Sequence, residues 1–389
     1  MQKALIVVSS YFPTGVAISS RMLNFGRLLR DAGWGVHVIT GYHVDSSVEI
    51  GKKYEIEGIT YQVASKRKPS GLNTFIGDYT LVNTIKDYLD MNKVDCVFMN
   101  AACENFSKIK CLCKKHQNRL FVEQCEWLDL SNYKFGKFDI RYINTQRLRK
   151  NGFSGSSGIV SISRLLNEHY EKVGVRTIRV PTILDVKNTF SEITANRNDN
   201  KIHIVFAGSL GGSKELMKPI IEALAEHVEL RDTIIFDIYG PTEKQIITNI
   251  GDNTEMLNSA GKSVVIHGRI PQEQIPGVYL NSDYLIFVRP QRKSSNAGFP
   301  TKFAESMAVG TPVITNNTGD IGLYLKNGEN GFLLPDNTTE AVCECFRRMI
   351  KISDEEYTQM RKAARETAEK SFDYRVYMEE VSNFFSTII

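Results

Sequence analysis

The stretch NAGFPTKFAESMAVGTPVI, residues 296–314, decides how the second half of the chain folds. A turn at Gly298 leads into a helical pattern, and GTPVI then predicts a tight turn before a buried strand. A helix start gathers unpaired backbone N–H groups and the positive end of the helix dipole, which together suit a phosphate. Pro300 fits the first helical turn because its missing N–H leaves no bond unmade, and Glu305 follows within reach of a sugar's hydroxyls. The stretch predicts a nucleotide diphosphate site, although it also describes an ordinary strand–turn–helix.

Short apolar runs alternate with helical patterns along the chain. The first run, ALIVV, precedes a helical pattern that ends at Gly33, and a second series begins at Ile202 with IHIVFA. This alternation predicts an α/β protein of two Rossmann-like, doubly wound domains with parallel sheets. Because ligands of such sheets bind at the carboxyl ends of the strands, we expect the domains to face a cleft that holds the site. The polar stretch 191–201 predicts the boundary between domains at 1–190 and 200–372.

The composition is that of an ordinary globular protein. The 389 residues are 42% hydrophobic and 24% charged, and the length favours two domains. The sequence contains no run of about 18 apolar residues, so no membrane span is predicted. ALIVV is too short for the apolar part of a signal peptide. Seven cysteines include two C-x-C pairs, but no histidine or second pair completes a zinc pattern. We therefore expect reduced, buried cysteines in a cytoplasmic protein.

The charge is unevenly distributed along the chain. Residues 1–187 hold 27 Lys and Arg against 17 Asp and Glu, whereas the remainder holds 21 against 27. The basic excess is densest within 108–150. It predicts contact with an anionic membrane at the inner face or with a phosphorylated acceptor, and a solvated basic face without a partner is an equal alternative. Nucleic acid is not expected as a partner, because the basic segments lack interleaved aromatic residues and any recognised motif.

Two loops that follow strands hold further candidates. Gly15 lies between a strand and a helix, where it lets the backbone approach a phosphate or sugar, and a structural turn explains it equally well. No G-x-G-x-x-G follows this strand, which argues against a dinucleotide site. Lys214 follows IHIVFAGS at or near a helix start, where its charge would neutralise a leaving diphosphate. The alternative for Lys214 is a solvated side chain where the helix dipole favours acids.

Strand ends in both halves offer a base-reading segment and an acid. Gly268, Arg269 and Ile270 come just past a strand, where backbone groups can pair with a base edge, or where the strand simply ends. FVEQCEW places Glu123 and Glu126 near a strand's carboxyl end, either facing the cleft or in a solvated loop. No D-x-D triplet, Walker loop, G-x-S-x-G elbow or H-E-x-x-H motif occurs. We expect no metal cofactor, so Lys, Arg and helix N-termini must meet the charge of the leaving group.

Together these segments resemble the GT-B glycosyltransferases, specifically the retaining enzymes of glycosyltransferase family 4. The resemblance is carried by FAGSLGGSK (206–214), HGRIPQEQIPGVYLNSDYLIFVRP (267–290), and the opening stretch with its GENGFLL sequel. It implies transfer of a hexose from a nucleoside diphosphate sugar to a hydroxyl acceptor, with the anomeric configuration kept. AGFPTK is similar to a subset of bacterial enzymes of surface-polysaccharide assembly, which makes a lipid-linked glycan one possible acceptor. FDYRVYMEEVSNFF resembles the terminal GT-B helix, so 373–389 are expected to pack on the first domain.

The resemblance also implies a role for individual residues. Glu305 matches the second acid of the family's Glu-x7-Glu motif, which holds the ribose hydroxyls of the donor. Lys214 matches the catalytic basic residue at the donor diphosphate, and Glu126 is our candidate for a catalytic acid of the first domain. Ile270 and its neighbours match the base-reading segment. The turn that touches the donor sugar and the N–H groups that meet the diphosphate match Gly298, Phe299, Pro300, Thr301 and Lys302.

Two positions depart from the family pattern. Ala297 stands eight residues before Glu305, where the family has its first acid, and only the neutral Asn296 is close enough in sequence to substitute for it. Ser209 stands where many relatives carry an Arg, so one positive charge is missing at the diphosphate unless Arg292 or Lys293 supplies it.

These departures keep two rival functions open. A sugar-nucleotide 2-epimerase uses the same fold and a similar nucleotide site, although it needs acid and base groups around the sugar. A catalytically weak nucleotide-sugar-binding subunit would fit the missing acid and Ser209. The sequence names neither the base, nor the sugar, nor the acceptor.

Overall fold

The computed structural model describes residues 1–13, 15–42, 48–66, 79–100, 103–128, 130, 133–189, 191, 201–211 and 214–387. The strands are β1 (Lys3–Val8), β2 (Gly35–Tyr42), β3 (Tyr54–Ile56), β4 (Ile59–Ser65), β5 (Cys96–Asn100), β6 (Arg119–Gln124), β7 (Gly158–Ser161), β8 (Thr177–Arg179), β9 (Ile202–Ala207), β10 (Ile234–Tyr239), β11 (Val264–Gly268), β12 (Tyr284–Phe287), β13 (Val313–Asn316) and β14 (Gly331–Leu334).

The α-helices are α1 (Ala17–Asp31), α2 (Tyr79–Met91), α3 (Cys103–Lys115), α4 (Ile140–Lys150), α5 (Arg164–Lys172), α6 (Lys218–Glu226), α7 (Val228–Arg231), α8 (Glu243–Asn249), α9 (Thr254–Ala260), α10 (Ile275–Leu280), α11 (Lys293–Ala297), α12 (Thr301–Ala308), α13 (Thr339–Met349), α14 (Asp354–Ser371) and α15 (Met378–Ser386). Short 3₁₀ helices cover Gly136–Phe138, Gly261–Ser263, Gln272–Gln274, Ile321–Leu323 and Tyr374–Tyr377.

The chain divides into two compact units. The first consists of Met1–Leu184 with Tyr374–Ile389, and the second of Asp185–Asp373. Most of the stretch 191–201, where the sequence predicts a domain boundary, lies outside the described residues. The predicted limits of the domains therefore stay a prediction.

The first unit contains one eight-stranded sheet in the order β3-β4-β2-β1-β5-β6-β7-β8. All neighbouring strands pair in parallel except β3, which runs antiparallel to β4. The inner strands read as continuous apolar runs because helices cover both faces of a parallel sheet. The strand order reverses between β1 and β5, as in a doubly wound fold.

The last helix completes the core of the first unit. Phe385 of α15 stacks on Phe121 of β6 with ring centroids 4.4 Å apart, and it meets Phe98 of β5 edge-on at 5.1 Å. Trp34 donates a 3.0 Å hydrogen bond from Nε1 to the Ser382 hydroxyl. The predicted return of the terminal helix to the first domain is thus confirmed.

The second unit contains a six-stranded, fully parallel sheet in the order β11-β10-β9-β12-β13-β14. Its order reverses between β9 and β12, which are adjacent. The two doubly wound, Rossmann-like sheets predicted from the sequence are therefore confirmed. The hairpin of β3 and β4 and the edge strand β14 are additions that the sequence analysis did not predict.

Candidate functional site

The candidate site lies in the second unit, where β9 and β12 end. These neighbouring parallel strands finish at the same edge of the sheet, at the point where the strand order reverses. Such a reversal opens a crevice at the carboxyl ends of the strands, which is the usual binding position in doubly wound folds. The segment from α11 to α12 follows β12 and supplies most of the residues singled out from the sequence.

Helix α12 presents an uncapped N-terminus, as the sequence predicts for a phosphate site. Pro300 is the N-cap residue with φ −72° and ψ 117°, and no side chain caps the helix. The helix begins at Thr301, so the prediction that Pro300 lies inside the first turn is wrong by one position. Since Pro300 has an extended ψ, it cannot belong to the helix, and the first N–H groups come from Thr301 and Lys302. These are the two backbone groups expected to meet a diphosphate.

Glu305 is half-buried one turn into α12. Its carboxyl forms no hydrogen bond or ion pair within the described part of the chain. Burial raises the pKa of Glu305 to about 7, against the lowering effect of the Lys302 charge. A carboxyl that is desolvated without a protein partner is suited to hydroxyl groups of a ligand.

Beside Glu305's helix lies a buried cluster of one acid and two cations. The Glu215 Oε1 atom accepts hydrogen bonds from Arg289, at 2.8 Å from Nη2 and 3.2 Å from Nε, and from Lys302 Nζ at 3.3 Å. The Glu215 side chain is 4% exposed, and its Oε2 atom has no hydrogen-bond partner among the described residues. Burial acts to raise the pKa of Glu215, but the charges of Lys302 and Arg289 outweigh it, so that this pKa is lowered. The cluster keeps a net positive charge of one.

The Lys302 ammonium group lies at the end of β9. It is 3.8 Å from the centre of the Phe206 ring, and a Cβ atom on Gly208 would come within 3.3 Å of Nζ. Burial lowers the pKa of Lys302, and the Glu215 carboxylate opposes this shift. The neighbouring Ser209 is exposed. Lys302 therefore brings a cation to the loop in which Ser209 replaces the expected Arg, whereas the sequence analysis assigned Lys302 only a backbone role.

Glycine residues, which have no side chains, form the edge of the sheet next to Lys302. Gly208 donates its N–H to the Tyr239 carbonyl at 3.0 Å, and Gly240 donates to the Gly268 carbonyl at 2.6 Å. A side chain on Gly240 is excluded, because its Cβ would lie 2.3 Å from the Gly208 oxygen. Gly208 and Gly240 thus follow β9 and β10 directly, Gly268 ends β11, and all three leave room for the close approach of a ligand.

Lys214 lies in the turn after β9 and not at a helix start. Helix α6 begins four residues later at Lys218, because the N–H groups in between bond elsewhere: Leu216 donates to the Val288 carbonyl and Met217 to the Asn249 side chain. The predicted position at or near the helix start is therefore wrong. The aliphatic part of Lys214 folds over Gly211, where an added Cβ would lie 3.3 Å from its Cδ. Lys214 remains on the carboxyl side of β9, as expected.

Hydrogen bonding and packing by its own side chains stabilise the turn before α12. The Asn296 Oδ1 atom accepts the Gly319 N–H at 2.8 Å, which leaves its amide nitrogen as the group that could face a ligand. Ala297 is fully buried, so no polar side chain occupies the position of the family's first acid. Phe299 packs in an aromatic cluster, 5.5 Å from the rings of both Tyr324 and Phe372. Gly298 and Phe299 therefore offer backbone groups rather than side chains.

The predicted base-reading segment leaves the sheet beside β10. Gly268 is the last residue of β11, with φ 70°, and not a residue beyond it. Arg269 is exposed and Ile270 half-buried in the turn that follows. His267 stacks on Tyr239 with ring centroids 4.2 Å apart, which places a flat aromatic pair next to this segment.

The first unit holds the other two predicted residues. Gly15 has φ 112°, a conformation that favours glycine, in the turn between β1 and α1. Glu126 is exposed just past β6, and its backbone carbonyl accepts a 3.1 Å hydrogen bond from Arg149. Glu123 is not a solvated loop acid, because it lies within β6, is 1% exposed and is paired with Arg21 at 2.8 Å.

Other features expected from the sequence have mixed outcomes. Among the described cysteine side chains, Cys96, Cys113, Cys343 and Cys345 are buried and reduced, whereas Cys111 is exposed. The described residues contain no cluster of three His, Cys, Asp or Glu side chains that could hold a metal ion. Within the same residues, no helix has the length and apolar character needed to cross a membrane.

Two doubly wound units of this kind are the components of a GT-B fold. Residues 187–367 match the family model "Glycosyl transferases group 1". The match confirms the resemblance to family 4 glycosyltransferases that the sequence motifs indicate.

Named relatives agree with this family. The amylovoran biosynthesis glycosyltransferase AmsK of Erwinia amylovora is 26% identical over 153 residues, which cover 39% of this chain and 36% of AmsK. The chain spans about a third of the length of the curated relatives it matches.

Two solved structures share the fold over their whole length. Sucrose-phosphate synthase of Thermosynechococcus elongatus superposes with a TM-score of 0.77 at 15% identity, covering 99% of this chain and 98% of that one. Anabaena HepE, solved in complex with UDP and glucose, superposes with a TM-score of 0.70 at 14% identity, covering 100% of both chains.

Proposed function

We propose that this protein is a retaining hexosyltransferase that takes a UDP-hexose donor and a hydroxyl acceptor in bacterial polysaccharide or glycolipid assembly. One observation carries the proposal: a half-buried Glu305, without a partner among the described residues, lies one turn from an uncapped helix start and near two half-buried cations. The ribose hydroxyls of a nucleoside diphosphate need an acceptor such as a carboxylate. Its pyrophosphate, a few ångströms away, needs cations or backbone N–H groups. The choice of UDP is supported by HepE, which was solved with UDP and glucose.

The donor is proposed to lie across the carboxyl edge of the second sheet. The ribose hydroxyls donate to Glu305, and the diphosphate meets the backbone N–H groups of Thr301 and Lys302. The uracil is read by the backbone around Ile270, next to the stacked pair of Tyr239 and His267.

Two lysines are proposed to hold the diphosphate from opposite sides. Lys214 approaches from the loop after β9, and Lys302 approaches through its side chain at Gly208. Lys302 then supplies the positive charge that Ser209 lacks, and Glu215 fixes its position without neutralising it, because Arg289 shares the carboxylate. Arg292 and Lys293, which the sequence analysis considered for this task, are exposed at the start of α11.

The chemistry is proposed to proceed on one face of the sugar. The bond from the anomeric carbon to the diphosphate oxygen breaks, and the acceptor oxygen bonds to the same face of that carbon. The acceptor proton passes to the departing diphosphate, so the step needs no protein nucleophile. Preorganised cations at the leaving group stabilise the charge that develops there, and each is worth about 10²–10³ in rate. Glu126 and the backbone at Gly15 are proposed to serve the acceptor and the donor sugar from the first unit.

The experiment begins with ligand-dependent stability. A ligand that binds only the native state raises its melting temperature, so UDP and UDP-glucose should stabilise the protein more than ADP, GDP or ADP-glucose. Glu305→Gln should lose most of this shift, whereas Glu344→Gln, an exposed glutamate in helix α13, should keep it. Equal stabilisation by all nucleotides would contradict the donor assignment.

Turnover of the donor separates the proposal from its rivals. The protein is incubated with UDP-hexose and a hydroxyl acceptor, and the product is examined by NMR for the anomeric configuration. An α-linked product from an α-linked donor supports the proposal. A free 2-epimer formed without acceptor would indicate an epimerase, and binding without transfer or hydrolysis would indicate a binding subunit. Both outcomes contradict transferase activity.

A further inference from the structure

An exposed apolar segment precedes and opens helix α4 in the first unit. Phe135 and Phe138 flank the 3₁₀ helix Gly136–Phe138 and are 55% and 78% exposed. Ile140 and Ile143 of α4 are 50% and 51% exposed. Single exposed apolar side chains are normal on the surface of a soluble protein. Four large apolar side chains within nine residues form a patch, and such patches usually mark a binding surface.

Helix α4 buries polar side chains and exposes apolar ones. Thr145 and Arg149, one turn apart, are buried, whereas the opposite stripe consists of Ile140, Ile143 and Arg147, at helical spacing i, i+3 and i+7, and all three are exposed. A helix of a globular protein normally shows the reverse arrangement.

Specific contacts hold the buried polar side of α4 in place, although the Nε and Nη1 atoms of Arg149 have no hydrogen-bond partner among the described residues. The Arg149 guanidinium lies 4.5 Å from the Trp127 ring centre and donates to the Glu126 carbonyl at 3.1 Å. Asp139, which is fully buried, caps the helix by accepting the Arg141 N–H at 3.0 Å. These contacts fix the isoleucines on the outside.

Cations surround the apolar side chains. The Lys134 ammonium group is 5.6 Å from the Phe135 ring centre, and that of Lys137 is 5.3 Å from the Phe138 ring centre. Residues 133–150 contain six Lys and Arg but only one acid. That acid, Asp139, is buried and paired with Arg141, so residues 133–150 keep a net charge of +5, six cations less one acid.

We propose that this apolar–basic face, formed by Phe135, Phe138, Ile140 and Ile143 with Lys134 and Lys137, docks on an anionic lipid bilayer. The apolar side chains would enter the boundary between headgroups and acyl chains, and the flexible lysines would keep their ammonium groups at the phosphate level. Charge complementarity favours a lipid surface over a second copy of the chain, because two copies facing each other would bring like charges together. The inference is independent of the donor site.

Vesicle binding by the full chain tests this inference. The protein is mixed with vesicles of pure phosphatidylcholine or of phosphatidylcholine with phosphatidylglycerol, and the bound fraction is measured by sedimentation. We expect binding to the anionic vesicles, and binding that weakens as salt is added. Phe135→Ser with Phe138→Ser should weaken it by more than about tenfold. Lys134→Glu with Lys137→Glu should weaken it by about 25-fold or more.

Matched controls keep the result interpretable. Met91→Ser removes an apolar side chain of the same unit with the same exposure as Phe138, 78%, and Lys172→Glu reverses a charge on exposed helix α5. Both controls should bind like the parent protein, and circular dichroism should show every variant folded. Failure of the parent protein to bind anionic vesicles would overturn the inference. Equal loss in the controls, or a dimer in ultracentrifugation that Phe138→Ser dissociates, would also overturn it.

Discussion

Replacing Glu305 by glutamine should make the ligand-free protein more stable at neutral and alkaline pH. The pKa of Glu305 is raised by burial from 4.5 to about 7, so the folded state retains a proton that the unfolded state has already lost. Stability therefore falls as pH rises between these two values, because the folded state binds more protons there. Each pKa unit corresponds to about 1.4 kcal/mol, so ionising this half-buried carboxyl costs at most about 3.5 kcal/mol.

Glutamine has nearly the same shape but carries no charge. The variant should match the parent protein below about pH 4, where Glu305 is protonated in both states, and exceed it at about pH 8. For a unit of this size, about 3.5 kcal/mol corresponds to a gain of roughly 7–14 °C in melting temperature, and partial solvation of Glu305 should bring the gain toward the lower figure. The same variant should raise the KM for the donor at least about tenfold, because each hydrogen bond to a charged group is worth about 1.5–3 kcal/mol.

The assay is a pair of thermal unfolding series across pH, without and with UDP-hexose, together with donor kinetics. Glu344→Gln, on an exposed helix surface, provides the control for an isosteric exchange. The distinguishing feature is the opposite sign of the two effects, stability gained and binding lost. A melting-temperature difference that does not change with pH, or an unchanged donor KM, would refute the reasoning.

Three further predictions concern charges. Lys302→Met should lower kcat by about 10²–10³ with a smaller effect on donor KM. Adding Ser209→Arg to this variant should restore part of the rate in steady-state kinetics. If the rate does not recover, Lys302 does not supply the charge that an Arg at position 209 would supply. Lys214→Ala should chiefly lower kcat, and a full-rate variant would remove Lys214 from the leaving-group site. Arg21→Met should cost the first unit about 3–5 kcal/mol in urea unfolding, because it leaves Glu123 buried without its partner.

The elements that carry the donor site could be predicted from local sequence. The strands β9 and β12 are short apolar runs, and α12 follows a Gly–Phe–Pro turn, so each has a signal within a few residues. The start of α6 was misplaced because Lys214 and the residues after it have helical character, whereas hydrogen bonds from distant segments hold them outside the helix. The β3–β4 hairpin was missed although YEIEGITYQV alternates around Gly58.

The buried cluster could not be predicted in the same way. Glu215 lies 74 positions from Arg289 and 87 from Lys302 in sequence, and no spacing rule connects residues that far apart. Only the folded sheet, which ends β9 next to β12, brings them together. Lys302 also lies at a helix start, where both its backbone N–H and its side-chain ammonium group are available to bind a phosphate. The sequence alone indicated only the role of the backbone N–H.

The first unit is completed by residues that follow the whole second unit in the chain. The Phe385 ring packs against Phe98 and Phe121, strand residues that lie 287 and 264 positions earlier in the chain. During synthesis the eight-stranded sheet therefore waits with part of its apolar interior uncovered, while the contiguous second unit can already fold behind it. Truncation before Tyr374 should leave the second unit intact but make the first prone to aggregate.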